Sequence, residues 1–234
     1  MQGFDAGAFL AYLQNVFLIG GVGVTVGLTV AALAGGMVLG MGLAQLRMSS
    51  MPVLQGFARG YLWFFRGTPL LIQMVIIFTG LPQIGIRLGV VPSALLALIL
   101  NETAYLSEII RSGFLGVPQT QREAARALGL RRFAVVWCVV LPQAFRLMLP
   151  PLGNSINGLL KATSITSVIS MEELMRRSSM LMQERFEVLE VFAAAAVWYL
   201  LLTSLWDVVQ RRLERAFGYE RKGTDAALPQ AEMR

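Results

Sequence analysis

Apolar and polar positions alternate along this chain in long blocks. No residue from Ala6 to Leu46 is charged, and four further runs are poor in charge. About 20 apolar residues are enough for a helix to cross the hydrocarbon core of a bilayer. The blocks therefore predict about five transmembrane helices, near residues 15–46, 68–86, 91–110, 141–169 and 191–209.

The composition supports this assignment and excludes several kinds of chemistry. The chain is 56% hydrophobic and only 15% charged, with a mean hydropathy of +0.62, which is typical of an all-α integral membrane protein. It contains one cysteine, Cys138, and no histidine. A disulfide within the chain, a metal site of clustered Cys and His, and catalysis by a histidine base are thereby excluded. We expect no catalytic residue and no metal ligand.

Basic residues are distributed unevenly between the loops, and this predicts the orientation. The loops after the first, third and fifth spans hold most of the arginines, whereas the basic residues after the fourth span are offset by glutamates. Basic loops stay in the cytoplasm, so we expect the N-terminus outside, the C-terminus inside, and residues 112–132 in the cytoplasm. The net charge of +6 is explained by this placement, and we expect no nucleic-acid partner.

The chain is expected to form one transmembrane domain over residues 1–217. Residues 218–234 combine Gly223, Pro229 and mixed charges, which favours a disordered tail. Within the first span, Gly23 and Gly27, and again Gly36 and Gly40, have the four-residue spacing that lets helices approach closely. Tight packing is the simplest interpretation of these glycines.

One cytoplasmic segment is shaped like a surface helix. Residues 121–128 are rich in strong helix formers, and Gly129 follows as a plausible helix end. Its small alanines would let another protein approach closely. The alternative is a linker helix that lies on the bilayer through its arginines.

Polar side chains within the spans are candidates for a substrate path, because such groups are costly in lipid and usually face an interior cavity. The third predicted span contains Asn101 and Glu102, and the fourth contains Lys161, Thr163 and Ser164. Glu102 and Lys161 could bind the ammonium and carboxylate groups of an amino acid. They could equally form structural ion pairs, with each other or with Arg146.

Several motifs follow one another in a fixed order along the chain. They are the segments Arg66-Gly-Thr-Pro-Leu-Leu-Ile-Gln73, Ala104-Tyr-Leu-Ser-Glu-Ile-Ile-Arg111, Glu123-Ala-Ala125 with Gly129, Val139 and Leu141-Pro142, and Leu141-Pro-Gln-Ala-Phe-Arg146 running into Pro150-Pro-Leu-Gly-Asn154. Together they resemble one family, the permease subunits of ATP-binding-cassette (ABC) importers, and within it the branch for polar amino acid uptake. The similarity spans roughly residues 20–213, and Val139 stands where isoleucine is usual.

This resemblance implies a type I ABC importer permease in a bacterial plasma (inner) membrane. The 112–132 loop would form a coupling helix that docks on a separate ATPase subunit. Glu123 would be its polar anchor, Ala124 and Ala125 its close-contact face, and Gly129 its turn, followed by Leu130 at the docking site. The chain has no phosphate-binding loop of its own, so ATP and Mg would be bound by the partner.

The resemblance also implies further partners and a substrate class. A second permease chain, identical or related, and an extracytoplasmic amino acid binding protein would complete an importer of a polar amino acid or close analogue. Ala162 stands where many relatives have an aspartate, so strong binding of cationic substrates at that position is not expected unless Glu102 takes over. The alternatives are a stand-alone secondary carrier, against which the absence of paired internal repeats argues, and a membrane-embedded enzyme, against which the scattered carboxylates argue.

Overall fold

The computed structural model describes residues 4–218, and this part of the chain consists of helices joined by short turns, with no strand. The predicted tail therefore lies outside the described residues, apart from Gly218. The helices are α1 Ala6–Leu13, α2 Val16–Met48, α3 Pro52–Gly67, α4 Leu70–Val75, α5 Val90–Leu115, α6 Gln119–Ala127, α7 Arg132–Ala134, α8 Leu141–Ala162, α9 Leu174–Arg185 and α10 Val188–Ala216.

Tighter or wider turns extend two of these helices. After α4 the chain continues through a π turn, Ile76–Gly80, and a 3-10 turn, Leu81–Ile84. A π turn, Val135–Val140, joins α7 to α8, and a 3-10 segment, Thr163–Ile169, follows α8. The elements from Arg132 to Ile169 consequently form one span of 38 residues.

The predicted number of spans is confirmed. Four helices are long and apolar enough to cross a membrane, and α3 with the α4 segment makes a fifth when this pair, bent by 103°, is counted as one span. The predicted bounds were too narrow, most of all for the fourth and second spans. The fourth span begins at Arg132 rather than near 141, because the apolar run Val135–Val140 extends the helix. The second predicted span is preceded by α3, which a search for charge-poor runs does not detect because α3 contains Arg59 and Arg66.

Buried clusters define the two ends of the bundle. At one end, Ala44, Ile110, Val117 and Ala125 share a core that includes α6; we call this the α6 end. At the opposite end, Tyr12, Leu18, Leu174, Val191 and Ala194 pack together; we call this the α9 end. A central cluster from α2, α4, α5 and α8 lies between them.

The close packing of α2 against α5 depends on two of the glycines. A Cβ atom on Gly36 would lie 3.1 Å from Leu106 Cδ1, and one on Gly40 would lie 3.2 Å from Leu106 Cβ. These distances confirm that Gly36 and Gly40 mediate a close helix contact. Gly23 and Gly27 have open space at the same position, so that pair packs against nothing within the described chain.

A buried carboxylate fixes the α9 end. Glu173 is fully buried, and its side chain caps α9 by accepting the N–H groups of Met175 and Arg176, both at 2.8 Å. The Tyr199 hydroxyl donates to the same carboxylate at 3.0 Å. Burial raises the pKa of the Glu173 carboxyl, although these hydrogen bonds favour its charged form.

Candidate functional site

Polar side chains hold the bend between α3 and α4 against α5. The Gln73 amide donates to Phe65 O at 3.0 Å and to Thr68 O at 3.1 Å, where the backbone turns. Asn101 Nδ2, on α5, donates to Phe65 O at 3.2 Å and to Gln73 Oε1 at 3.0 Å. These bonds satisfy carbonyl groups that the bend frees from helical pairing, which is required in a membrane interior.

A cavity of about 330 Å³ lies beside this bend, between α5 and α8. Its polar lining comes from Asn101, Glu102, Tyr105 and Ser155. Glu102 is 6% exposed, and its carboxylate accepts a hydrogen bond from the Ser155 hydroxyl. The remaining lining is small or apolar and comprises Leu70, Leu98, Gly158, Leu159, Ala162 and Ile165.

The five predicted path residues do not all reach this cavity. Asn101 and Glu102 line it. Thr163 is fully buried and donates to Leu160 O at 2.7 Å, while Ser164 donates to Lys161 O at 2.7 Å, so both hydroxyls satisfy their own helix. The structure therefore does not place Thr163 or Ser164 in the cavity.

Lys161 is exposed and is not among the residues that line the cavity. Among the described residues, the ion pairs within 4.0 Å all involve Glu108, so neither Lys161 nor Arg146 is paired with Glu102. The described part of the chain therefore contains no structural ion pair at Glu102. The carboxylate has the Ser155 hydroxyl as its partner in this chain.

Sequence reasoning missed Tyr105 and Ser155 as lining residues, although a signal was present. The α5 lining positions are 98, 101, 102 and 105; those on α8 are 155, 158, 159 and 162, and position 165 follows on the 3-10 segment. Each set follows the three- and four-residue spacing of one helix face. Extending that spacing from Glu102 would have found Tyr105, and extending it from Ala162 would have found Ser155.

A stripe of exposed positions runs along α8 next to the cavity. Asn154, Gly158 and Lys161 are all exposed, at helical spacing, within the span from Arg132 to Ile169. Gly158 also lines the cavity, so the stripe borders it. An amide and an ammonium group are costly in contact with lipid tails, and this surface therefore requires a protein or aqueous neighbour.

The predicted surface helix is α6, and its end has the predicted form. Gly129 has φ +80°, a left-handed conformation that favours glycine. Its N–H donates to Arg126 O at 2.9 Å, and the N–H of Leu130 donates back to Ala125 O at 3.2 Å. This pair of bonds closes the helix with a Schellman-type turn, which directs the chain into α7.

Most positions of α6 are exposed and available to a partner, whereas Ala125 is buried. Glu123 and Ala124 are exposed, and Leu128 is 82% exposed. Ala125 is 4% exposed and packs in the core of the α6 end beside Val117 and Val135. The expectation that Ala125 forms part of a contact face is therefore corrected, because its side chain holds α6 on its own chain.

Potential metal ligands are dispersed. Within residues 4–218, no group of three or more His, Cys, Asp or Glu side chains is placed to hold a metal ion. Cys138 is an exposed free cysteine. The site chemistry of this part of the chain therefore rests on the cavity, the α8 stripe and the exposed face of α6.

The chain is similar to known proteins of one family. Residues 36–219 match the family model described as "Binding-protein-dependent transport system inner membrane component". The chain is 41% identical over 207 residues to an arginine transport system permease protein of Corynebacterium glutamicum, covering 82% of this chain and 66% of that protein. It is 36% identical over 200 residues to a glutamine transport system permease protein of Escherichia coli K12, covering 85% of this chain and 91% of that protein.

Two solved structures of ABC transporters are similar to this chain. A crystal structure of an amino acid ABC transporter with histidines is 32% identical, with a TM-score of 0.85, covering 92% of this chain and 100% of that chain. An inward-facing methionine ABC transporter has a TM-score of 0.70 at 20% identity, covering 86% of this chain and 96% of that chain. The second match supports the fold alone.

Proposed function

The chain belongs to the family of inner membrane components of binding-protein-dependent transport systems, and we propose that it imports a polar amino acid or a close analogue as the permease subunit of an ABC importer. The family has no ATPase site of its own and resides in the inner membrane. The observation that carries the proposal is this membership, since it favours a permease with a separate ATPase over a stand-alone carrier. The relatives named for arginine and glutamine support the substrate class.

The cavity beside Glu102 is the proposed substrate site in the membrane. Glu102 is the acidic member of the lining and would accept the ammonium group of an amino acid. Tyr105 and Ser155 add hydroxyl groups that fix orientation. Ala162 also lines the cavity and has no carboxylate. A cationic group of the substrate would therefore depend on Glu102 for a negatively charged partner.

The α8 stripe is the proposed contact with a second permease chain. Its exposed Asn154 and Lys161 would be shielded from lipid by that chain or by the path between the two chains. Lys161 would then face the path from the side opposite Glu102 and meet the substrate carboxylate there. Either a second copy or a related chain fits this surface, and the subunit composition of the purified complex distinguishes them.

The exposed face of α6 is the proposed docking site for an ATPase subunit, which would bind ATP and Mg. Glu123 would be the polar anchor, and the highly exposed Leu128 would enter an apolar groove. The turn at Gly129 and Leu130 would pass movement of α6 into α7 and α8. An extracytoplasmic binding protein would deliver the substrate at the α9 end.

The first experiment tests docking. The complex that co-purifies with the tagged chain is reconstituted in lipid, and ATP hydrolysis is measured with binding protein loaded with single polar amino acids. We expect stimulation by one loaded amino acid, and loss of the co-purifying ATPase in Glu123→Lys. Glu184→Lys makes the same charge change at an exposed position of the α9 end and should retain the ATPase. Uptake without ATP or any co-purifying ATPase would contradict the proposal.

A second experiment tests the cavity. Glu102→Gln keeps the shape but removes the charge, and a hydrogen bond to a charged group contributes about 1.5–3 kcal/mol. We therefore expect the substrate concentration for half-maximal transport to rise about 10- to 150-fold, with the ATPase still bound. Glu190→Gln is the matched control, because Glu190 is also buried, at 7% exposure, but lies at the α9 end. Equal effects of the two variants would exclude Glu102 from the path.

A further inference from the structure

An arginine cluster lies at the α6 end, separate from the proposed docking face. Glu108 on α5 pairs with Arg47 from α2 and with Arg111, whose Nη2 is 3.1 Å from Glu108 Oε2. Arg66 from the end of α3 is 4.0 Å from the same carboxylate. The single carboxylate thus has three guanidinium groups around it, so the cluster carries net positive charge.

This cluster opens into a cavity of about 520 Å³. Arginines 47, 59 and 66 contribute to its lining, against Glu108 as the acidic member. Arg59 donates to the neutral amide of Gln55 at 2.7 Å. Arg66 is 46% exposed at its side chain and stacks over the Tyr105 ring at 5.5 Å. Arg59 and Arg66 are therefore the guanidinium groups least neutralised by the protein.

The cavity lies beside an apolar surface that belongs at a membrane interface. Trp63, which also lines the cavity, is 80% exposed, and Val53 and Phe57 on the same helix are 79% and 64% exposed. The bend of 103° turns α3 across the direction of the next helical segment. An amphipathic helix in this orientation, with tryptophan and arginine at the ends of the spans, is typical of the headgroup region.

We propose that this cavity binds the phosphate of an anionic membrane phospholipid, with Arg59 and Arg66 as the phosphate ligands. Guanidinium groups match phosphate oxygens in both charge and geometry. The acyl chains lie along Val53, Phe57 and Trp63, an apolar surface that free phosphate would leave uncovered. Basic pockets between membrane helices have the chemistry that anionic headgroups need. The proposal depends on the membrane placement of α3 and not on the proposed transport function.

Native mass spectrometry of the purified complex tests it. The complex is equilibrated with phosphatidylglycerol and phosphatidylcholine in equal amounts, and the retained lipids are counted for each chain. We expect the wild type to prefer phosphatidylglycerol. Each of Arg59→Gln and Arg66→Gln should reduce that preference about fivefold, since one basic residue near a surface contributes about 1 kcal/mol. Arg59→Gln is the cleaner variant, because Arg59 forms no ion pair within the described residues.

Two controls make the same charge change at exposed arginines, Arg212→Gln near the C-terminal end of α10 and Arg87→Gln near the α9 end, and both should retain the preference. Inorganic phosphate at millimolar concentration should not displace the lipid. No preference in the wild type, an equal loss in the controls, or displacement by inorganic phosphate would overturn the proposal. A misfolded variant would be recognised by loss of the complex itself.

Discussion

Replacement of Asn101 by leucine tests whether this side chain holds the bend or serves the substrate path. In the structure both bonds of its amide nitrogen go to the bend, to Phe65 O at 3.2 Å and to Gln73 Oε1 at 3.0 Å. Leucine has a similar volume but no donor. We therefore expect Asn101→Leu to lower the stability of the folded chain in micelles, with the apparent affinity for substrate changing little.

The magnitude follows from the two bonds. Hydrogen bonds between side chains in a membrane protein contribute about 0.6 kcal/mol on average and about 1.7 at most. Two lost bonds, together with a Gln73 amide oxygen left without its partner, give a total loss of about 1–3 kcal/mol. The coupling between Gln73 and Asn101 themselves should be about 0.6–1.7 kcal/mol.

The assay is a double-mutant cycle. Reversible unfolding in mixed detergent micelles is measured for the wild type, Gln73→Leu, Asn101→Leu and the double variant. Gln143→Leu is the control, because the Gln143 amide donates to Val139 O within its own span, at 2.9 Å. Additive losses, with a coupling below about 0.3 kcal/mol, would refute the stabilising interaction between Asn101 and Gln73 and favour a role for Asn101 in the substrate path.

Three further predictions follow from the backbone and from one buried acid. Gly129→Val should weaken ATPase stimulation, because a φ of +80° costs a branched residue at least about 1–2 kcal/mol, whereas Gly129→Asn should retain most of it. Gly40→Val should destabilise the chain by about 1–3 kcal/mol in detergent unfolding, since its Cβ would meet Leu106 at 3.2 Å, while Gly23→Val, at an open position, should change stability by less than about 0.5. The raised pKa of Glu173 means that the folded state binds its proton more tightly than the unfolded state does; this contribution to stability is present below the unfolded pKa and is lost as pH rises through the folded pKa. Glu173→Gln should therefore remove part of the loss of stability that the wild type shows as pH rises from about 4.5 towards neutrality.

The spans were predictable because lipid leaves the backbone few options. A chain that crosses the bilayer must satisfy its own N–H and C=O groups, so a long apolar run becomes a helix. The same argument fails for α3, whose 16 residues include Arg59 and Arg66. Its apolar side chains follow a helical spacing, but a search for charge-poor runs does not detect amphipathic helices. The extent of this helix and the contacts of its Arg66 with Glu108 were therefore found only in the structure.

The position where α6 ends was predictable from the neighbouring residues. Which side of α6 packs against the bundle was not. Gly129 supplies the left-handed residue that a helix end requires, and that need is readable from a few neighbouring residues. Which alanine is exposed depends on where α6 rests on the bundle. Ala125 packs in the core of the α6 end, and Ala124 remains exposed, which the sequence of α6 alone does not specify.

The same distinction explains why Lys161 does not line the cavity beside Glu102. Successive residues of a helix differ by about 100° around its axis, so Lys161 and Ala162 necessarily face different neighbours. Packing of α8 against α5 directs Ala162 into the cavity and leaves Lys161 exposed on the stripe. The sequence motif locates both residues within one helical turn, but it does not specify which of them faces the cavity. The cavity lining includes Glu102 but no basic side chain, because the turn of α8 that brings Ala162 to the cavity places Lys161 elsewhere on the helix.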